Sequence, residues 1–216
     1  MKKNFQLSTF NFQLIRVAIV DDHKSVAEGF ERLINDSGIA GVTGKAYSAA
    51  GCWELLSQMD ADVLLLDVSL PDGNGIELCP KIKTQYPDLK ILILTSFSEP
   101  TLIKRALNDG ASGYVLKNAM AEEIIEGIRT VASGERYLCE EASMMLKHND
   151  VHTIRLSRRE QELLRLIIAG KSTGEIADLM RLGFETVKSY RKHLMLKLDA
   201  NNTAQLVKIA IEKNLA

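Results

Sequence analysis

The run Val63-Leu64-Leu65-Leu66-Asp67 decides the fold. A short, continuously apolar run of this kind is expected of a strand covered on both faces of a parallel sheet. Working outward, Ile15–Val20, Gly41–Tyr47, Ile91–Thr95 and Gly113–Leu116 read as its companion strands. Between them, amphipathic stretches at about Lys24–Asp36, Ala49–Gln58, Gly75–Gln85, Glu99–Asp109 and Ala121–Ser133 read as helices. Strand and helix alternate five times. That predicts an α/β layer fold, a doubly wound five-stranded parallel sheet.

Folds of this type place ligands beyond the C-terminal ends of their strands, and that edge collects five polar residues. Asp21 and Asp22 follow the first strand, Asp67 ends the third, Thr95 ends the fourth and Lys117 follows the fifth. Three bare carboxylates would repel one another. A divalent cation relieves the repulsion, and oxygen ligands around a mostly hydrated ion favour Mg²⁺. The ion would also screen an incoming phosphoryl group, so that a carboxylate could attack phosphorus. Lys117 could pair with one phosphoryl oxygen, and the Thr95 hydroxyl could donate to another. The alternative is that each strand-end Asp caps the helix after it, which explains any one of them better than the whole set.

From Cys139 to Ile154 the apolar periodicity fades, and the stretch reads as a linker. Helical patterns then resume without strands. Ser157 with Glu160 and Ser172 with Glu175 form capping boxes. They open two helices, the first ending at Gly170 and the second at about Arg181. Gly183 makes a turn, a third helix runs from about Glu185 to Leu198, and a last one from Ala204 to about Lys213. The second helix, the turn and the third helix make a helix-turn-helix pattern. The third carries Lys188, Arg191 and Lys192 with Thr186, Ser189 and Tyr190, a composition suited to the major groove of double-stranded DNA. The alternative is a basic helix that is merely solvated. From Ile154 to Ala216 there are 12 Lys and Arg against 7 Asp and Glu, a balance of +5, which leaves −6 on the rest of a chain of net charge −1. A basic end behind an acidic front fits a module that meets a polyanion. Leu206, Ile209 and Ala210 share one face of the last helix, which either contacts a second copy or packs on its own domain.

At 216 residues the chain has room for two small domains. No apolar run approaches the length that spans a bilayer. Met1–Leu14 lacks the apolar block of a signal peptide and reads as a short, poorly ordered extension. A cytoplasmic chain with no membrane partner is expected. Cys52, Cys79 and Cys139 have no paired spacing and read as reduced thiols, not as metal ligands or a disulfide.

Val20-Asp21-Asp22, the run Leu64 to Gly75, Leu94-Thr95-Ser96 and Gly113-Tyr114-Val115-Leu116-Lys117 resemble the receiver domain of response regulators, a flavodoxin-like fold. Pro71 and Gly75 stand four and eight residues after Asp67, as the family pattern requires. The resemblance implies that a partner histidine kinase phosphorylates Asp67. It implies that Asp22 and Asp67 bind Mg²⁺ directly, joined by the backbone carbonyl of Ser69, with Asp21 acting mainly through water. Thr95 and Tyr114 would be a switch pair, and Lys117 the cation that meets the phosphate. Tyr114 is equally readable as core. Asn118 departs from the proline that many receivers carry.

Leu156-Ser157-Arg158-Arg159-Glu160, Ala169-Gly170-Lys171-Ser172, Glu175-Ile176-Ala177, Thr186-Val187-Lys188 and Leu196-Lys197-Leu198 resemble the LuxR-type helix-turn-helix. The whole resembles the NarL/FixJ class of response regulators. By that resemblance Lys188, Ser189 and Lys192 face the groove, with Thr186, Ser172 and Thr173 near phosphates and Arg191 a further basic group on the same helix. Gly183 stands where a serine is frequent and Tyr190 where a histidine is common, so no base preference is carried over.

The expected organisation is an extension at 1–14, a receiver domain at 15–138, a linker at 139–154 and a small all-α DNA-binding domain at 155–216. The expected function is non-enzymatic: phosphorylation favours a homodimer, and two recognition helices then engage neighbouring half-sites to regulate transcription. One rival is a phosphotransfer enzyme with Asp67 as nucleophile, against which stand the missing cap insertion and the DNA module. The other is a regulator that works without phosphorylation, against which stands the intact acidic site.

Overall fold

The computed structural model describes residues 14–147, 156–213 and 215. The expected extension lies outside these residues apart from Leu14, as does most of the second half of the expected linker. The described chain divides into two compact units, one holding residues 14–98 and 105–144, the other holding residues 99–104 and 145–147 with the helices from residue 156 onward.

The first unit runs β1 (Ile15–Val20), α1 (Lys24–Asp36), β2 (Ala40–Ala46), α2 (Ala49–Gln58) and β3 (Val63–Leu66). Two-residue strands β4 (Ser69–Leu70) and β5 (Gly73–Asn74) come next, followed by α3 (Gly75–Gln85), β6 (Lys90–Thr95), α4 (Pro100–Asn108) and β7 (Gly113–Leu116). The last elements before residue 148 are α5 (Ala121–Ala132), β8 (Tyr137–Leu138) and α6 (Glu140–Lys147). The main sheet has the order β2-β1-β3-β6-β7-β8 and is parallel throughout. All four residues of β3 are buried, as the unbroken apolar run requires of a central strand with helices on both faces. Burying one such Leu is worth about 1.5–3 kcal/mol. The chain leaves β1 toward β2 on one side and returns to β3 on the other, so the order reverses at β1 and β3. That is where such sheets open a crevice at their C-terminal edge.

The doubly wound sheet is as expected, with two corrections. It has six strands, not five: β8 adds Tyr137 and Leu138 beside Gly113 and Tyr114 of β7. Two residues are too few to carry a periodic signal. The stretch read as linker from residue 139 opens with a helix, α6, anchored by buried Cys139 and Ala142 three residues apart. Glu140 and Glu141 in its first turn and Lys147 in its last complement the helix dipole.

The second unit is all helical: α7 (Arg158–Ile168), α8 (Thr173–Met180), α9 (Phe184–Lys197) and α10 (Thr203–Glu212). Both expected capping boxes form, on Ser157 with Glu160 and on Ser172 with Glu175. Each cap is worth about 1 kcal/mol. Leu163, Leu164, Ile167, Ile176, Val187, Leu194 and Leu198 make the core together with Leu206 and Ala210 of α10. The apolar face of the last helix therefore packs on its own domain, and Ile209 lies partly buried against the same cluster. The turn between α8 and α9 differs in detail from the reading of Gly183. Its left-handed residue is Arg181 at φ 53°, while Gly183 adopts an extended conformation and caps α9.

Candidate functional site

Backbone hydrogen bonds carry the sheet ladder past the strand ends and thereby align the polar edge. Asp67 N–H donates to Val20 C=O at 2.8 Å, Asp21 N–H to Ala46 C=O at 3.1 Å and Lys117 N–H to Thr95 C=O at 2.8 Å. Among the described residues, the buried polar and charged ones are Asp21, Asp67 and Thr95. All three belong to the expected set, and burying such groups is costly unless they serve one another.

Lys117 binds the carboxylates together. Its Nζ lies 2.6 Å from Asp21 Oδ2 and 2.8 Å from Asp67 Oδ2. Burial pushes the Asp67 carboxyl above its ordinary range despite the attraction of Lys117, and repulsion from Asp21 adds to it. Lys117 is itself penalised by burial, but the two carboxylates outweigh that and hold its ammonium above the usual lysine range. Asp22 stands beside them, with a buried Oδ1 that has no hydrogen-bond partner. One ligand atom from each of Asp21, Asp22, His23 and Asp67 falls within 4.8 Å of the others. Three carboxylates against one ammonium leave an excess of negative charge. The carboxylate oxygens among these donors fit a hard divalent cation.

Ser69 lies in β4, which pairs antiparallel with β5 through Ser69↔Asn74 and Leu70↔Gly73. Its backbone N–H draws the Asp67 carboxyl down, the smallest of the influences on that group. Two residues outside the expected set hold this hairpin. Asp72 at its tip accepts hydrogen bonds from Ala49 N–H and Ala50 N–H, at 2.6 and 2.9 Å, and so fastens the hairpin to the N-terminus of α2. Gly75 packs so close to Asp67 that a Cβ there would stand 2.1 Å from the Asp67 carbonyl oxygen. Asp72 gave no signal in sequence beyond being a turn residue, because its partners lie more than 20 positions away.

Thr95 and Tyr114 both hold the backbone of Phe97, one on its N–H and the other on its C=O. The Thr95 hydroxyl accepts from Phe97 N–H at 3.4 Å, and the Tyr114 hydroxyl donates to Phe97 C=O at 2.7 Å. Tyr114 is fully buried. It is therefore core by packing while its polar end holds the segment that follows Thr95.

On the second unit, α8, the turn and α9 form the expected helix-turn-helix. Thr186, Lys188 and Ser189 are exposed, and the Lys188 ammonium lies 3.6 Å from Glu185 in a solvated pair worth little. Arg191 is half-buried and donates to the Thr203 hydroxyl at 3.3 Å, and Lys192 is half-buried as well. Ser172 is occupied as the cap of α8: its backbone N–H donates to Glu175 at 2.9 Å and its hydroxyl accepts from Glu175 N–H at 3.3 Å. Thr173 opens that helix. Thr186, Lys188 and Ser189 thus form the open part of the expected surface, and Arg191 and Lys192 its edge.

Comparison with known proteins agrees with both units. Residues 17–129 match the response regulator receiver domain, and residues 155–210 match the bacterial regulatory proteins of the luxR family. The oxygen regulatory protein NreC of Staphylococcus carnosus is 34% identical over 215 residues, covering 93% of this chain and 99% of that protein. The RcsB response regulator of Salmonella typhimurium is 29% identical at a TM-score of 0.61, covering 91% of this chain and 97% of its own. A structure of two RcsB dimers bound to two parallel DNAs is 28% identical, also at 0.61, over 93% of this chain and 99% of that one. These are regulatory proteins, which decides between regulator and phosphotransfer enzyme in favour of the regulator. No helix among the described residues is long and apolar enough to cross a membrane. The chain belongs to the two-component response regulators that join a receiver domain to a luxR-type helix-turn-helix domain.

Proposed function

We propose that Asp67 is the phosphoacceptor and that its phosphorylation controls DNA binding by α8 and α9. The observation that carries this is the buried pairing of Asp21 and Asp67 on one lysine, 2.6 and 2.8 Å from its ammonium, at the point where the strand order reverses. A carboxylate oxygen of Asp67 takes the phosphoryl group from the phosphohistidine of a sensor kinase; the P–N bond breaks as the P–O bond forms. Asp22, Asp67 and the Ser69 carbonyl would hold Mg²⁺, with Asp21 acting through water. The ion supplies positive charge against the phosphoryl oxygens. Lys117 turns from its carboxylates to a phosphoryl oxygen, and Thr95 donates to another. Thr95 then releases the Phe97 N–H, and Tyr114, bound to the C=O of the same residue, feels the change. These two form the switch that shifts the receiver toward a dimerising state.

The output is a cytoplasmic transcription regulator whose two modules engage adjacent half-sites as a homodimer. A single module buries little DNA surface, and pairing raises effective concentration. In the DNA-contacting set Lys188, Ser189 and Lys192 face the groove, Thr186, Ser172 and Thr173 lie near phosphates, and Arg191 is a further basic group on the same helix. The receiver spans 15–138 and the output domain 155–216, joined by a connection that begins with α6. The test is full-length sizing and DNA binding, with and without acetyl phosphate and Mg²⁺. Phosphodonor should raise both the dimer fraction and the affinity for a selected duplex. A protein that binds equally well in both conditions would refute the switch.

A further inference from the structure

Phe184 is the first residue of α9 and is 54% exposed. A single exposed apolar residue is ordinary, so its position decides what it means. The core of the unit takes Val187 and Leu194 from α9 and leaves Phe184 out. Nor does the start of the helix need it. A hydrophobic staple joins the residue before the N-cap to the fourth helical residue. With Gly183 as the N-cap, those positions hold Leu182 and Val187; Val187 is in the core cluster and Leu182 packs against it.

Phe184, Lys188 and Lys192 are spaced four apart and form one row along the helix. The Lys188 side chain is 70% exposed. Side chains on a helix lean toward its N-terminus, so a bulky residue at the first position extends the row past the helix start. That is the end of a recognition helix that meets base edges. An aromatic ring has no attraction for hydrated phosphates. In the major groove the apolar group on offer is the C5-methyl of thymine, and phenylalanine is among the side chains that touch it.

We propose that Phe184 reads a thymine methyl group in the major groove, next to the point where Lys188 enters. The inference rests on the reading of α9 as the helix that lies in that groove. Contact with the ring takes the methyl out of water, and one buried methyl accounts for about fourfold in affinity. The ring thus supplies sequence preference without a hydrogen bond.

The full chain, incubated with acetyl phosphate and Mg²⁺, selects a binding site from random duplexes. Each thymine of that site is then replaced in turn by deoxyuridine, which keeps every hydrogen-bonding group and lacks only the methyl. Affinities are measured for the native protein, Phe184→Ala and Lys188→Ala. The native protein should lose about fourfold at one thymine, and Phe184→Ala should bind both versions of that duplex equally. Lys188→Ala should bind the selected site more weakly and keep the methyl effect. Phe184→Ala should melt as the native protein does, since the side chain is exposed. With Lys188→Ala weakened, a native protein indifferent to every methyl, or a Phe184→Ala variant that keeps the full methyl effect, would overturn the proposal and leave α9 in the groove. If the chain selects no duplex, or neither variant alters its binding, the groove reading of α9 fails and takes this one with it.

Discussion

Replacing Gly75 with alanine tests how the hairpin after β3 positions Asp67. Gly75 is the first residue of α3, and its φ is not in the left-handed region, so the constraint is space rather than backbone strain. The added Cβ would stand 2.1 Å from the Asp67 carbonyl oxygen and 2.9 Å from its carbonyl carbon, where ordinary contact begins at 3.4 Å. The deficit of about 1.3 Å falls on backbone, which cannot swing aside as a side chain can. Overpacking of this kind costs about 1–3 kcal/mol. Alanine's better helix propensity returns little at a first-turn position. For a unit of this size that corresponds to a fall in Tm of roughly 5–15 °C. Gly29 is the internal control: it is an exposed glycine inside α1, and a Cβ there would meet nothing within 4 Å. Gly29→Ala should gain up to about 1 kcal/mol. Calorimetry on both variants gives the stability arm. Phosphoryl uptake from acetyl phosphate, measured well below the Tm, gives the positional arm. Gly75→Ala should lose labelling even where it is fully folded. A Gly75→Ala protein that melts and labels like Gly29→Ala would refute the close-approach reasoning.

Leu194 is fully buried in the second unit; Leu194→Ala should cost about 2–5 kcal/mol, abolishing DNA binding at physiological temperature while Asp67 still labels. Arg16 holds the Asp62 carboxyl below the usual aspartate range, chiefly through their side-chain hydrogen bond. A depressed folded pKa means that its stabilisation is present above the unfolded value of about 3.9 and fades as pH falls through the lower folded one. The Tm gap between native protein and Asp62→Asn should therefore be constant near neutrality and close in strong acid; a gap independent of pH down to unfolding would remove the ion pair from the explanation. Lys188→Ala should either cost about 1–3 kcal/mol at one base position or weaken all duplexes equally and lower the salt slope by about one unit. Base reading is the expected result, since Lys188 is exposed near the N-terminal end of α9. Uniform weakening across single-base variants would leave it only a phosphate contact.

The strands at β1, β3, β6 and β7 were readable because a central parallel strand must be apolar on both faces, and composition alone reports that. The capping boxes on Ser157 and Ser172 were readable because both partners lie within one turn. Asp21, Asp67, Thr95 and Lys117 were readable as strand-end residues, since topology brings strand ends together whatever the side chains do. Two kinds of feature were not readable. β8 and the β4–β5 hairpin are two residues per strand and exist only because a neighbour supplies hydrogen bonds. Asp72 on the α2 N-terminus and the Tyr114 hydroxyl on Phe97 are contacts between distant positions, without periodicity to announce them. Arg181 shows the same limit locally: a left-handed arginine is held by the turn around it, and its residue type does not announce that conformation.

Phosphorylation of Asp67 is most directly tested by intact mass after incubation with acetyl phosphate and Mg²⁺. The native chain should gain one phosphoryl group, and Asp67→Asn, which keeps the size of the side chain beside Lys117, should gain none. Equal labelling of the two would place the acceptor elsewhere and contradict the assignment of the buried carboxylate pair as the phosphorylation site.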